Sequence, residues 1–184
     1  MSRAVFLGHP VDLAGPITPP TMGGARYFML MKDEFSSHMF VYLLSSKGHV
    51  LSKMKEFINE VGIQTQKRVQ RIRSDNGTEF KNQGMRILCQ MEGIMQEFSA
   101  PMTPQQNGCI ERANRTVAET ARSILQASEL PLALWGEAIN TAVYLRNRTT
   151  NSHTKDKTPY ELFYGRKPDL AHLMRFGEEV HVLD

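Results

Sequence analysis

The chain has 184 residues, 41% hydrophobic and 8% aromatic, with 22 Lys and Arg against 19 Asp and Glu. That length suits one domain whose core needs no metal or disulfide staple, and the ordinary charged fraction excludes global disorder. The formal charge of +3 permits a polyanionic partner without requiring one.

Taken in chain order, Val5–Leu7 and Val11–Ala14 are short apolar pieces, followed by a Pro- and Gly-rich loop through Pro19-Pro20 and Gly23-Gly24. Arg26–Met31 and Met39–Leu44 are dense apolar runs of strand length, so the first part reads as a meander of three antiparallel strands. From Lys47 to Val61 the residues Val50, Met54, Phe57, Ile58 and Val61 recur at three and four, which predicts a helix. Val69–Ser74 predicts a strand ending at Asp75-Asn76-Gly77, and Met85, Leu88 and Cys89 mark a helix stopped by Gly93. Ile94–Ser99 is a weaker strand candidate. Pro101–Gly108 reads as a loop. Beyond it Ile110, Ala113, Val117, Ala121 and Ile124 line one side of a helix, with Glu111, Asn114, Arg115, Ala118 and Arg122 on another. Leu134 to Leu145 predicts a further helix, with Trp135 in the core; Met29, Met31, Met39 and Met54 also read as core. Periodicity fades over Lys157–Asp184, which sets a boundary near residue 150.

Cys89 and Cys109 form no C-x-x-C pair and the six histidines show no zinc-module spacing, so a structural zinc site is not expected. Two unpaired thiols suit a reducing compartment. No run of 18 apolar residues is present, so no membrane partner is expected, and Met1–Pro10 does not read as a signal peptide.

Three carboxylates stand where strand ends and a helix start could bring them together: Asp12, Asp75 and Glu111. All-oxygen ligands of this kind suit hard divalent cations, and a pair of such ions serves in-line phosphoryl transfer. Alone the triple is weak, because the chain offers 19 acids. Its surroundings add weight: S-D-N-G-T-E-F at Ser74–Phe80, P-x-x-N-G-C-I-E-R at Pro104–Arg112, and 35 residues between Asp75 and Glu111. Asp33 and Glu34 read as an exposed strand end or local hydrogen bonding rather than as ligands. Glu79 reads equally as an acid supporting the site or one in the first turn of the following helix.

These segments, with V-D-L-A-G-P around Asp12, L-W-G-E-A at Leu134–Ala138 and T-P-Y-E-L-F-Y-G-R-K-P at Thr158–Pro168, resemble the catalytic core of retroviral-type integrases, in particular those of copia-type LTR retrotransposons. The resemblance implies an α/β, ribonuclease H-like fold: a five-stranded mixed sheet with helices on both faces. It implies a core over 1–150 and a C-terminal extension over 151–184. It also implies that Asp12, Asp75 and Glu111 are catalytic ligands of Mg²⁺, for which Mn²⁺ substitutes, in 3′-end processing and strand transfer of element DNA into target DNA. DNA contacts are expected from Gln106, Asn107, Asn114 and Arg115, the last two one turn beyond Glu111. The further expectations are a homo-oligomer and action in the nucleus after a cytosolic or particle-bound stage. The departures from the family pattern are Pro10 and His9 before Asp12, Glu34 within D-E-F-S, Ala113 after E-R, and Glu178 after F-G. The family's upstream His/Cys zinc segment has no counterpart, so a fragment is expected. Two rivals are a ribonuclease H and a non-catalytic DNA-binding or oligomerisation module from a degenerate element.

Overall fold

A computed structural model describes residues 8–99 and 104–178, and for 104–107 only the backbone. The apolar piece expected at Val5–Leu7 lies outside these residues. Strands β1 (His9–Ala14), β2 (Tyr27–Lys32) and β3 (Met39–Leu44) form the antiparallel meander the apolar runs predicted. Strands β4 (Arg71–Ser74) and β5 (Met95–Phe98) add in parallel on the other side of β1, giving a five-stranded mixed sheet ordered β3-β2-β1-β4-β5.

The sheet is apolar on both faces because side chains alternate along each strand. In β2, Met29 and Met31 join one core cluster while Phe28 and Leu30 join the other. Helices α1 (Val50–Thr65) and α2 (Gln83–Glu92) cover the first face with Val50, Met54, Phe57, Val61, Met85, Leu88 and Cys89. Helices α3 (Pro104–Ser128) and α4 (Trp135–Asn147) cover the second with Ile110, Val117, Ala121, Leu125, Trp135, Ala138, Ile139 and Val143. Each fully buried Phe or Met side chain contributes about 1.5–3 kcal/mol of transfer free energy. Local signals set the helix ends. Asn82 caps α2 by accepting the Met85 N–H at 2.9 Å, and Gly93 stops it in the left-handed region at φ 67°. Trp135 is core, as expected, with its indole N–H donating to the Pro19 carbonyl at 3.0 Å.

The structure corrects the reading in four places. The segment expected to be a loop through Gly108 is helical from Pro104, since proline suits a first helical turn and the following Gln, Asn and Gly are carried by the rest of α3. The buried stripe of α3 runs Ile110, Asn114, Val117, Ala121, Leu125, so Asn114 belongs to the inward face and not to the polar one. Asp33 is fully buried, accepting the Ser36 N–H at 2.7 Å and hydroxyl at 2.6 Å and lying 3.6 Å from His9; local hydrogen bonding was expected there, exposure was not. Glu34 pairs with Arg73 at 2.8 Å. Finally, a fifth helix, α5 (Pro159–Tyr164), follows residue 150: Thr158 and Glu161 form a reciprocal capping box, and Phe163 is buried in the α1-side core.

Candidate active site

Two of the three carboxylates are positioned by sheet register. In the parallel pair of β1 and β4, His9 lies opposite Ile72 and Pro10 opposite Arg73. Two residues further on, the same register aligns Asp12 with Asp75, the residue just past the end of β4. Alternation puts Val11 and Ile72 into the α1-side core, so Asp12 and Asp75 both belong to the face covered by α3. This is the carboxyl end of parallel strands, where open α/β sheets form their crevices.

The third carboxylate comes from that helix. Asn114, 7% exposed, donates from Nδ2 to Asp12 Oδ2 at 2.5 Å, fastening α3 to β1. Glu111 lies one turn earlier and is exposed. The Leu13 N–H gives Asp12 a second donor at 2.9 Å, on Oδ1. Burial raises the pKa of Asp12; the hydrogen bonds from Asn114 and Leu13 oppose the shift, while the negative charges of Asp75 and Glu111 add to it. Asp12 therefore feels both other carboxylates. Among the described residues, however, no three His, Cys, Asp or Glu side chains stand close enough to hold a metal ion as they are. Asp12 and Asp75 thus share one edge of the sheet beside the helix that carries Glu111, without the three closing to ligand distance.

The Asn76-Gly77 turn serves Asp75 and makes no hairpin. The Gly77 N–H donates to Asp75 Oδ1 at 3.0 Å, and Asn76 Nδ2 ties the turn to the Ser99 carbonyl at 2.9 Å. A Cβ on Gly77 would meet Glu79 Oε2 at 2.8 Å and Asp75 Oδ1 at 2.9 Å, so both acids close over this glycine. Glu79 precedes α2, does not belong to its first turn, and pairs with Lys47 at 3.1 Å.

Of the expected DNA contacts, Arg115 is exposed on the same flank of α3 as Glu111, Ala118 and Arg122. Arg115 and Arg122 make no ion pair among the described residues, and with Asn114 and Ala118 they border a groove of about 440 Å³ floored by Phe28, Leu125 and Trp135. Asn114 is turned inward onto Asp12, because it occupies the buried stripe. Gln106 and Asn107 lie in the first turns of α3, with side chains outside the described residues. Asn114 is the residue whose role the sequence reading missed; its spacing from Ile110 and Val117 was the available signal.

No family model matches the chain. Among curated proteins it is 37% identical over 166 residues, 90% of its length, to a retrovirus-related Pol polyprotein from transposon TNT 1-94 of Nicotiana tabacum. The chain is homologous to a segment of copia-type retrotransposon Pol polyproteins. A Pol polyprotein from transposon RE2 of Arabidopsis thaliana is 31% identical over 83% of the chain. The Ty1-LR3 Gag-Pol polyprotein of Saccharomyces cerevisiae is 27% identical over 94%. The chain spans only 12% of the tobacco relative and 10% of the other two. Two solved structures share its fold at 18% identity. One is a chain of the simian T-cell lymphotropic virus intasome in complex with PP2A regulatory subunit B56 gamma, with TM-score 0.70 over 97% of this chain and 60% of that one. The other is the HTLV-2 integrase catalytic core domain in complex with magnesium, in a trimeric form, with TM-score 0.64 over 86% of this chain and 96% of that one. The expected five-stranded, ribonuclease H-like fold is the one observed.

Proposed function

We propose that this chain is an integrase core, a Mg²⁺-dependent polynucleotidyl transferase that trims the 3′ ends of element DNA and joins them to target DNA. The observation that carries the reading is the register of β1 with β4, which aligns Asp12 with Asp75, together with the Asn114–Asp12 hydrogen bond that docks the helix bearing Glu111 on the same face. The residues fit a hard cation: the donor set is all oxygen, and the buried Asn114 Oδ1 beside Asp12 has no hydrogen-bond partner. Asp12, Asp75 and Glu111 would hold Mg²⁺, or Mn²⁺ in its place. Such ions, when bound, activate the attacking oxygen and stabilise the leaving one at a phosphodiester. The chain's own part is to position and bind. Asn114 holds the Asp12 carboxylate against α3, and the Gly77 N–H orients Asp75. Arg115 and Arg122 take backbone phosphates along the Glu111 flank, a sequence-independent grip that weakens with salt. Gln106 and Asn107 extend that grip at the start of α3. Assembly into a homo-oligomer, as the trimeric and intasome forms of its structural neighbours suggest, would hold two DNA ends in register, and target joining puts the activity in the nucleus.

The rival reading is a non-catalytic DNA-binding module that keeps this fold without the metal chemistry. Strand transfer and nicking on linear and branched duplexes, with Mg²⁺ or Mn²⁺, separate the two. Wild type should act weakly, and Glu111→Gln should abolish the activity while keeping fold and DNA affinity. Equal activity in both proteins would assign the signal to a contaminant, and none from wild type would leave the binding module. Cleavage confined to RNA–DNA hybrids would identify a ribonuclease H.

A further inference from the structure

The flank of α3 opposite Glu111 borders a second concavity, of about 430 Å³, that the transferase reading does not use. Cys109, Arg112, Ala113 and Thr116 form its helix wall, the ends of β1 and β2 contribute Pro10 and Lys32, and Asn151, Ser152 and His153 close it from beyond α4. Its charge is one-sided. Lys32, Arg112 and Arg146 all line it, and among the described residues none of them pairs with a carboxylate. The single acid in the wall, Glu34, is engaged by Arg73 at 2.8 Å. The half-buried Lys32 ammonium instead donates to the Cys109 thiol at 3.3 Å, a weak acceptor that neutralises no charge.

The half-buried Lys32 and the exposed Arg112 and Arg146 bring three like charges to one cavity whose single acid is already paired, and a multiply charged anion would relieve their repulsion. Arginine forks suit phosphate oxygens, lysine supplies a point charge at the floor, and the Thr116 and Ser152 hydroxyls add neutral donors at the wall. The volume is that of a small-ligand pocket, far below what a duplex occupies, and the helix separates it from the Arg115 and Arg122 flank. We propose that this cavity binds a compact free oligophosphate, with Lys32, Arg112 and Arg146 as its charged ligands.

The test is isothermal titration of the 184-residue chain with inorganic tripolyphosphate and, separately, with a short oligothymidylate, in EDTA and at matched ionic strength. EDTA removes any binding that runs through divalent ions at the carboxylate edge. Tripolyphosphate should bind saturably at one site. Arg112→Met with Arg146→Met should weaken it at least tenfold, and Lys32→Met should do the same with an unchanged or higher melting temperature, because Met keeps the apolar stem and removes an unneutralised charge. Arg115→Ala with Arg122→Ala should leave it unchanged, and so should Glu111→Gln, so the cavity and the transferase reading stand or fall separately. Absence of saturable binding, or equal loss on both flanks of α3, would overturn the proposal. So would dependence on Arg112 and Arg146 for the oligonucleotide alone, which would make the ligand a nucleic-acid strand.

Discussion

Two polar regions sit at the α3-side edge and the β2–β3 turn of the same sheet, and they are built on opposite terms. In the turn, Asp33 is enclosed: Ser36 gives its Oδ2 two donors, its Oδ1 has no hydrogen-bond partner and lies 3.6 Å from His9, and His38 stacks on Phe163 at 4.7 Å between centroids. At the edge, Asp12 is partly buried among like charges and held by one long-range donor, Asn114. The turn spends polar groups on closing the fold, whereas the edge keeps a carboxylate in a setting that disfavours its charge. Burial alone does not mark a site: a buried acid held by its own turn closes the fold, whereas a hydrogen-bonded acid crowded by other acids at a sheet edge is a candidate site.

The largest effect should come from breaking the turn. Asp33→Ala leaves the Ser36 N–H and hydroxyl without their buried acceptor, and should cost about 1–3 kcal/mol in urea unfolding. A cost below about 1 kcal/mol would remove the contrast. The next effect is pH dependence. Burial, with the nearby Arg148 and His9 charges, lowers the His38 pKa to about 3. A folded pKa below the unfolded value means that stability is full above the ordinary histidine range and is lost as pH falls from about 6.5. His38→Phe, which keeps the stacking and removes a ring Nδ1 with no hydrogen-bond partner, should flatten the decline of melting temperature between pH 6.5 and 4.

Asp12 should show the opposite sign. Its folded pKa is raised, so its charge penalises the fold at neutral pH and the penalty fades as pH falls into the carboxylate range. Asp12→Asn, with the Asn114 amide turned to offer its oxygen, should stabilise the protein at pH 7 by about 0.5–2 kcal/mol while abolishing DNA strand transfer. Loss of stability there would show that the Asn114 and Leu13 donors outweigh the cost of burying the Asp12 charge. The smallest stability effect belongs to Gly77→Ala. The new methyl meets only the tips of the Asp75 and Glu79 side chains, which can swing aside, so unfolding should shift by less than about 0.5 kcal/mol. Transfer activity should fall severalfold because Asp75 is displaced; unchanged activity would remove this turn from the site.

Much of the architecture was legible because strands and long helices advertise themselves through apolar spacing: β2, β3, α1 and α4 lie within a few residues of their expected positions. Failures arose where tertiary context overrides local chemistry. Asp33 looks solvated in one dimension because its partners Ser36 and His9 reach it only after β2 turns back. Asn114 looks polar-faced until its i, i+3 neighbours are counted inward. The six residues of α5 are too few for periodicity to show, although T-P-Y-E spelled out its cap. Asp12, Asp75 and Glu111 were singled out only through their flanking motifs, since no local signal joins residues that a parallel register and a packed helix bring to one face.

That register makes chain length a stricter constraint than chain chemistry around the acids. Losing or gaining one residue between Pro10 and Asp12, or between Arg73 and Asp75, would turn the acid to the opposite face and into the α1-side core. A paired two-residue change keeps the face and shifts the acid along it by one strand repeat. In a lineage of copied elements, single-codon deletions in these two short windows should therefore be scarcer than in the Pro16–Ala25 loop, where an added residue alters no pairing. Counting in-frame indels against these windows in sibling copies reads that selection directly, without an assay.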